Sequence, residues 1–250
     1  MMEMILLEEA SLKEEYNMKR IYSGFLFVLF LFSACTKEKS TSPIDPGLGY
    51  FPVSPGNYRI YKLDSLFYND FTSVVDTFRF LVKEIIGEEF VDGAGEKRNR
   101  LERYYRKNVS EEWKIADVWS VVLNNSYSSI TEENIPLVKL SFPVSKGREW
   151  NVNAFNSREP SNGFYEFIDV PQTIDGVYFE KTLRVSTPSD SNLIITKFSF
   201  EEYAYGIGMI HKRYCSLEDR DSVIDFSRPL RARADYGFDV TYTLIEYGKK

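Results

Sequence analysis

From residue 50 onward, apolar and polar positions alternate in short runs separated by turn residues. Phe78, Phe80 and Val82 alternate with Arg79, Leu81 and Lys83, and Phe238, Val240, Tyr242 and Leu244 face away from Asp239, Thr241 and Thr243. Val177, Phe179, Leu183 and Val185 share one parity opposite Tyr178, Glu180, Thr182 and Arg184, with Lys181 interrupting the apolar set. A period of two is the signature of strands, and one apolar face against one polar face suits an antiparallel sheet packed on one side. Similar runs predict strands over residues 58–68, 101–106, 113–123, 137–142, 164–170, 193–203, 209–215 and 223–226. The glycine-bearing connection from Val91 to Glu96 predicts a hairpin with an extended loop. No long amphipathic helix follows residue 50, and 126–134 is expected to form at most a short helical turn. The expected fold is all-β, or mainly β with short helices: a half-barrel or β-sandwich making a single domain over 50–250.

Ahead of that domain the pattern changes. Met18-Lys19-Arg20 is followed by an almost wholly apolar run from Ile21 to Phe32 and then by Ser33-Ala34-Cys35. A positive start, an apolar centre and small residues before a processing point are the three parts of a secretory signal, expected here over 18–34. The apolar run is shorter than the roughly 20 residues that a spanning helix needs. Residues 1–17 carry Glu3, Glu8, Glu9, Glu14 and Glu15 where a leader should be positive, so translation is expected to start at Met18, with 1–17 a mis-assigned start or a helical extension. Residues 35–49 are rich in Lys, Ser, Thr, Pro and Gly, which predicts a flexible tether.

Cys35 directly after Phe32-Ser33-Ala34 resembles the lipobox of bacterial lipoproteins, with Phe32 standing where Leu is commoner. The resemblance implies cleavage before Cys35, a diacylglycerol on its thiol and a palmitate-type acyl chain on the new amino terminus. Because a single acyl chain anchors only marginally, two or three make attachment stable. Thr36 after Cys35 is not the Asp associated with inner-membrane retention, so the resemblance favours the outer membrane.

Two further segments are similar to Bacteroidota-type outer-envelope lipoproteins related to the LolA-like and TapB-like curved-sheet proteins. One runs from Tyr50 through Phe51-Pro52, Gly56, Tyr58 and Arg59 to Tyr61; the other is Tyr203-Ala204-Tyr205-Gly206-Ile207-Gly208-Met209-Ile210-His211-Lys212, with a weaker echo around Gly147 to Asn156. The resemblance implies a strongly curved antiparallel sheet with a concave apolar face, and no agreed activity.

Composition narrows the function classes. The chain carries a formal charge of −6, and the part from Cys35 onward −4 once the five Glu and three Lys or Arg of 1–34 are set aside. A mildly acidic chain offers no counterion-displacing surface, so no nucleic-acid partner is expected. The single histidine, His211, rules out a multi-histidine metal site and leaves only one base for a triad; a structural or surface role is expected. Cys215 has no partner once Cys35 is acylated and is expected to be a buried structural thiol. The pairs Glu88-Glu89, Glu111-Glu112, Glu132-Glu133 and Glu201-Glu202 point to opposite faces of a strand, so each is expected as solvated surface rather than as paired catalytic carboxylates. Lys97, Arg98, Arg100, Arg103 and Arg106, interleaved with Glu96 and Glu102, are expected on a solvated hairpin.

One candidate ligand contact stands out: Trp150 with Asn151, Asn153 and Asn156, an aromatic platform with amide donors suited to a sugar ring, although Asn is equally at home bonding its own loop backbone. No catalytic, metal or cofactor residues are expected. The leading expectation is a non-enzymatic, lipid-anchored envelope protein binding a hydrophobic or extended ligand, or a protein partner, on the inner face of a curved sheet. The rivals are a structural or assembly component without a small ligand, whose inner face would be filled by its own side chains, and a polysaccharide-acting hydrolase or carbohydrate-binding module.

Overall fold

The computed structural model describes residues 45–72, 74–221 and 223–250. The expected leader, Cys35 with its expected lipidation, and most of the expected tether lie outside the described residues. Thirteen strands are present: β1 (Asn57–Asn69), β2 (Val74–Val91), β3 (Lys97–Arg106), β4 (Lys114–Leu123), β5 (Tyr127–Glu132), β6 (Ile135–Ser141), β7 (Glu149–Asn151), β8 (Asn162–Ile174), β9 (Val177–Ser186), β10 (Asp190–Ser191), β11 (Ile195–Ala204), β12 (Gly208–Glu218) and β13 (Tyr236–Lys249). A 3-10 turn at Leu48–Tyr50 and a single helical turn α1 (Leu230–Arg233) complete the described elements.

All strands join one antiparallel sheet in the order β6-β5-β4-β3-β2-β1-β13-β12-β11-β9-β8-β7, with β10 added to β11. The sheet curls into a nearly closed barrel. Register shifts explain the curl: bulges interrupt β1/β13 at Ile60/Tyr61, β11/β12 at Glu202/Tyr203 and β5/β6 at Ser128/Ser129, and three more occur along β8/β9. Each bulge bends its strand and deepens the local twist. The two ends of the order meet at a seam, where Val138 N–H of β6 donates to the Val152 carbonyl just past β7 at 2.9 Å and the Trp150 indole N–H donates to the Val138 carbonyl at 3.2 Å. Trp150 packs on Tyr165, with ring centroids 4.8 Å apart.

The interior is built by the predicted alternation. Tyr61, Leu63, Val82, Phe179, Ile210 and Leu244 form one apolar cluster; Tyr50, Phe51, Ile86, Leu101, Leu140 and Leu183 belong to another. Glycines serve the sheet where backbones crowd: at Gly237 (φ 118°) a Cβ would overlap the Ser216 carbonyl of β12.

Three expectations are corrected. Residues 126–134 are not helical but form β5 and a two-residue turn, with Glu133 (φ 48°) and Asn134 (φ 64°) both left-handed, as a type I′ hairpin requires. Residues 223–226 are not a strand: β12 already pairs Glu218 with Tyr236, so the intervening chain arches off the sheet, and the Asp225 carboxylate closes a turn by accepting from Ser227 N–H at 3.0 Å. Residues 46 and 47, expected in the flexible tether, pack on the body: Gly47 is buried beneath Val144 and the Pro46 carbonyl accepts from Val144 N–H at 2.9 Å.

Candidate functional site

The inner face is not uniformly apolar, which corrects the expectation of an apolar concave surface. Strand after strand projects a charged residue inward at one level: Lys139 from β6, Glu132 from β5, Asp117 from β4, Arg103 from β3, Glu84 from β2, Arg59 from β1, Lys212 from β12 and Glu201 from β11. Arg103 Nε lies 3.3 Å from Glu84 and its Nη1 3.3 Å from Asp117, while its guanidinium stacks 3.7 Å over the Trp119 ring. Arg59 lies 3.8 Å from Glu84 and donates to the Ile207 carbonyl at 3.3 Å. Lys139 Nζ sits 3.0 Å from Glu132 and 3.1 Å from Glu201, and Lys212 Nζ 3.3 Å from Glu201. The pairs fall into two groups, Asp117–Arg103–Glu84–Arg59 and Glu132–Lys139–Glu201–Lys212, and the Glu201–Lys139 pair of the second joins β11 to β6 across the barrel. Four cations meet four carboxylates and the belt is neutral.

Electrostatics inside the belt follow from this pairing. Burial alone would push Glu201 and Glu132 up, but the Lys139 and Lys212 ammonium groups outweigh it and hold both carboxyls below the ordinary range. The same pairing holds Lys139 protonated against the burial that would lower it. A general acid needs a raised carboxyl pKa, and these two are depressed. The void that the belt encloses measures about 80 Å³. Ligand pockets run to about 300–1,000 Å³, so this space suits a few waters.

Beyond the belt, toward the β1–β2 turn, the inner face opens. Register places Phe78, Ser65, Val240 and Tyr214 in one row across β2, β1, β13 and β12, and Phe67 beside Phe238 in the next, on the same face as Leu63 and Tyr242. Phe67, Phe78 and Tyr214 are 41%, 46% and 44% exposed although they point to the inner side. Tyr214 rests on Phe238 with ring centroids 5.0 Å apart and also borders an apolar pocket of about 200 Å³ with Leu137, Val152 and Val185. This aromatic shelf is an exposed apolar surface on the concave side.

The outer face holds a second polar cluster. Glu202, buried, accepts from Arg184 Nη2 at 2.7 Å and bonds His211 Nδ1 at 2.8 Å; Phe200 packs edge-on against the imidazole at 5.3 Å. Burial raises the Glu202 carboxyl, yet the His211 and Arg184 hydrogen bonds bring it below its ordinary value. Ser186 donates to Glu166 at 2.6 Å rather than to the imidazole, so no triad forms around His211. Expectations of solvation therefore fail for Glu132, Glu201, Glu202 and Arg103. The strand does turn Glu201 and Glu202 to opposite faces, but each meets cations brought from distant strands, which local sequence cannot show. Arg103 leaves the basic hairpin for the interior, whereas Arg98 stays near its turn, pairing with Asp92 and Glu96.

The amides around Trp150 build their own loop. Asn151 Oδ1 accepts from Asn153 N–H and Ser161 N–H at 3.0 Å each, Asn153 Nδ2 donates to the Glu159 carbonyl at 2.6 Å, and Asn156 Nδ2 donates to the Pro136 carbonyl at 2.8 Å. One face of the Trp150 ring lies against Gly163, where a Cβ would stand 2.9 Å from it. Cys215 is buried, and burial together with Asp239 pushes its thiol up to about 11.

Fold and site together define an all-β, single-sheet barrel with an ion-paired interior and an aromatic shelf at one end. Two solved structures are similar to it over 80% of this chain and 98% of their own: a candidate exported protein with a YmcC-like fold from Bacteroides fragilis (7% identity, TM-score 0.43) and a candidate lipoprotein from Parabacteroides distasonis (12% identity, TM-score 0.41). No protein-family model matches the sequence, and no curated protein matches it.

Proposed function

We propose that this chain is a non-enzymatic cell-envelope lipoprotein, held at the outer membrane by acyl chains on Cys35, that binds an extended apolar segment of an envelope protein on its aromatic shelf. The observation that carries the reading is the contrast along one inner face: the centre is filled by the protein's own ion pairs, whereas Phe67, Phe78 and Tyr214 stand open at the end. A filled centre disfavours an enclosed lipid cargo and favours a component of envelope assembly. The resemblance to LolA-like and TapB-like proteins supports the curved sheet in this reading but not their kind of cargo.

A hydrolase would use two inward carboxylates, one of them kept protonated. Glu132 and Glu201 share Lys139 and are both depressed, which supports the non-enzymatic reading. The test is photo-crosslinking in intact cells from positions 67, 78 and 214, with the outward Thr77 as control. Capture of one and the same envelope protein from the three shelf positions and not from Thr77 is expected; equal capture from Thr77, or none from the shelf, overturns the shelf. Cys35→Ser should release the protein from the membrane fraction, and retention of that variant would overturn the anchor.

A further inference from the structure

The end of the barrel opposite the shelf carries a different surface. Tyr178, Tyr205 and Tyr247 are 65%, 40% and 51% exposed and share a recess of about 640 Å³ with Lys181. Lys181 Nζ lies 4.3 Å from the centroid of the Tyr205 ring. We propose that this recess is a bilayer-contact surface that seats the domain on the headgroup layer of the membrane holding its own anchor, a proposal that rests on lipidation of Cys35.

The argument starts from where the chain enters. Asp45 pairs with Lys181 at 3.7 Å, the Gly49 carbonyl accepts from Gly206 N–H at 2.8 Å, and Gly49 lies so close to the Tyr205 ring that a Cβ would overlap it. The entry point is thus fixed beside the tyrosines. Ten residue steps separate Cys35 from Asp45. A fully extended chain of that length spans at most about 36 Å, so the anchor keeps this end of the domain within that reach of the membrane, and the side chains around the entry point decide which surface meets it.

The chemistry fits that neighbour. Tyrosine is enriched at membrane interfaces because its ring enters the apolar boundary while its hydroxyl stays among headgroups, and lysine reaches outward past apolar surface in the same way. Charge does not drive the contact: Lys181 lies 3.7 Å from Asp45 and 3.5 Å from Asp169, and Glu180 also lines the recess, so the surface carries no net positive charge to attract anionic headgroups. The association should therefore resist salt, unlike a polybasic patch. Seating this end also presents the shelf away from the bilayer. Arg59 in β1 pairs with Tyr247, and Phe67 lies eight residues along the same strand, about 26 Å at 3.3 Å per residue.

The test uses the full-length lipidated protein in phosphatidylethanolamine–phosphatidylglycerol vesicles containing a headgroup nitroxide lipid. A fluorophore is placed on Tyr178→Cys or, at the far end, on Phe71→Cys; the native Cys215 is buried. At least threefold stronger quenching at 178 than at 71 is expected, unchanged in 1 M salt, and falling to the level at 71 when Tyr205→Ser and Tyr247→Ser are added. Equal quenching at both positions, quenching untouched by the two serines, or loss in salt overturns the docking surface, and energy transfer between labelled copies in place of quenching assigns the recess to a second copy instead. Intact mass measured beforehand separates the failures: an unmodified Cys35 removes anchor and docking together, whereas a lipidated protein that shows no selective quenching removes the docking alone.

Discussion

Replacing Lys139 with methionine probes the ion-paired interior most directly. The methionine side chain fills similar volume, so the perturbation is the charge. Lys139 is 8% exposed and touches two carboxylates; without it Glu201 keeps Lys212, but Glu132 loses its direct partner while remaining about three-quarters buried. Breaking a buried pair by removing one member costs about 3–5 kcal/mol, because the remaining charge is left uncompensated. For a domain of this size each kcal/mol moves Tm by roughly 2–4 °C, so Lys139→Met should lower it by about 6–20 °C. Adding Glu132→Gln restores neutrality, leaves the Glu201–Lys212 pair intact and should recover about half of the loss. Urea unfolding of the purified full-length protein, followed by near-ultraviolet circular dichroism, reads both variants. A single variant within about 0.5 kcal/mol of the parent, the range of ordinary surface substitutions, or a double variant less stable than the single, would refute the uncompensated-charge argument.

Acid should weaken the fold in a defined direction. Glu132, Glu201 and Glu202 have depressed folded pKa values, so their contribution is complete above the unfolded carboxyl value of about 4.3 and is lost as pH falls through the lower folded values; urea midpoints should drop between pH 6 and pH 3, and flat midpoints would contradict the pairing. Cys215, with its thiol near 11, should resist iodoacetamide at pH 8 in the folded protein and react once the protein is unfolded in urea; rapid labelling of the folded state would show that the thiol is accessible. Trp150→Ala should remove the seam packing on Tyr165 and Val138, destabilise by about 2–3 kcal/mol and raise amide exchange in β6, whereas unchanged stability with loss of glycan binding would reinstate the sugar platform.

Much of the sheet was legible because local rules acted alone. The period-two runs at 177–185 and 238–244 became β9 and β13, and Asp92 closes the predicted turn before Lys97 by accepting from Ala94 N–H at 2.8 Å and Glu96 N–H at 3.0 Å. Where a non-local partner decides, the pattern was silent. Val223 to Phe226 carries strand formers with no strand edge to join, and β5 has too few apolar residues to announce itself, since Ser128 and Ser129 are buried by neighbours rather than by hydrophobicity. Its signal was instead the Glu133-Asn134 pair, whose asparagine tolerates the left-handed conformation of a tight hairpin. Glu201 and Arg103 look like surface residues in any local window, because the charges that neutralise them lie on other strands, 11 to 62 residues away.

The belt also bears on how so long a sheet keeps its register. In a strand whose two faces are both polar, a slip of one residue changes little, and pairing is weakly specified. In β3 the inward set is Leu101, Arg103 and Tyr105; a one-residue slip against β2 would send Arg103 outward, take from Asp117 its paired cation and leave Glu84 with Arg59 alone, 3.8 Å away. An apolar interior would penalise that slip only by exposed area, whereas the belt adds the cost of one carboxylate left without its cation and a second left with half of its pairing. Apolar side chains of similar volume at these positions could match the belt in stability and still specify pairing less sharply. With the middle of its interior given to holding the sheet in register, the barrel has its two proposed contact surfaces at its ends.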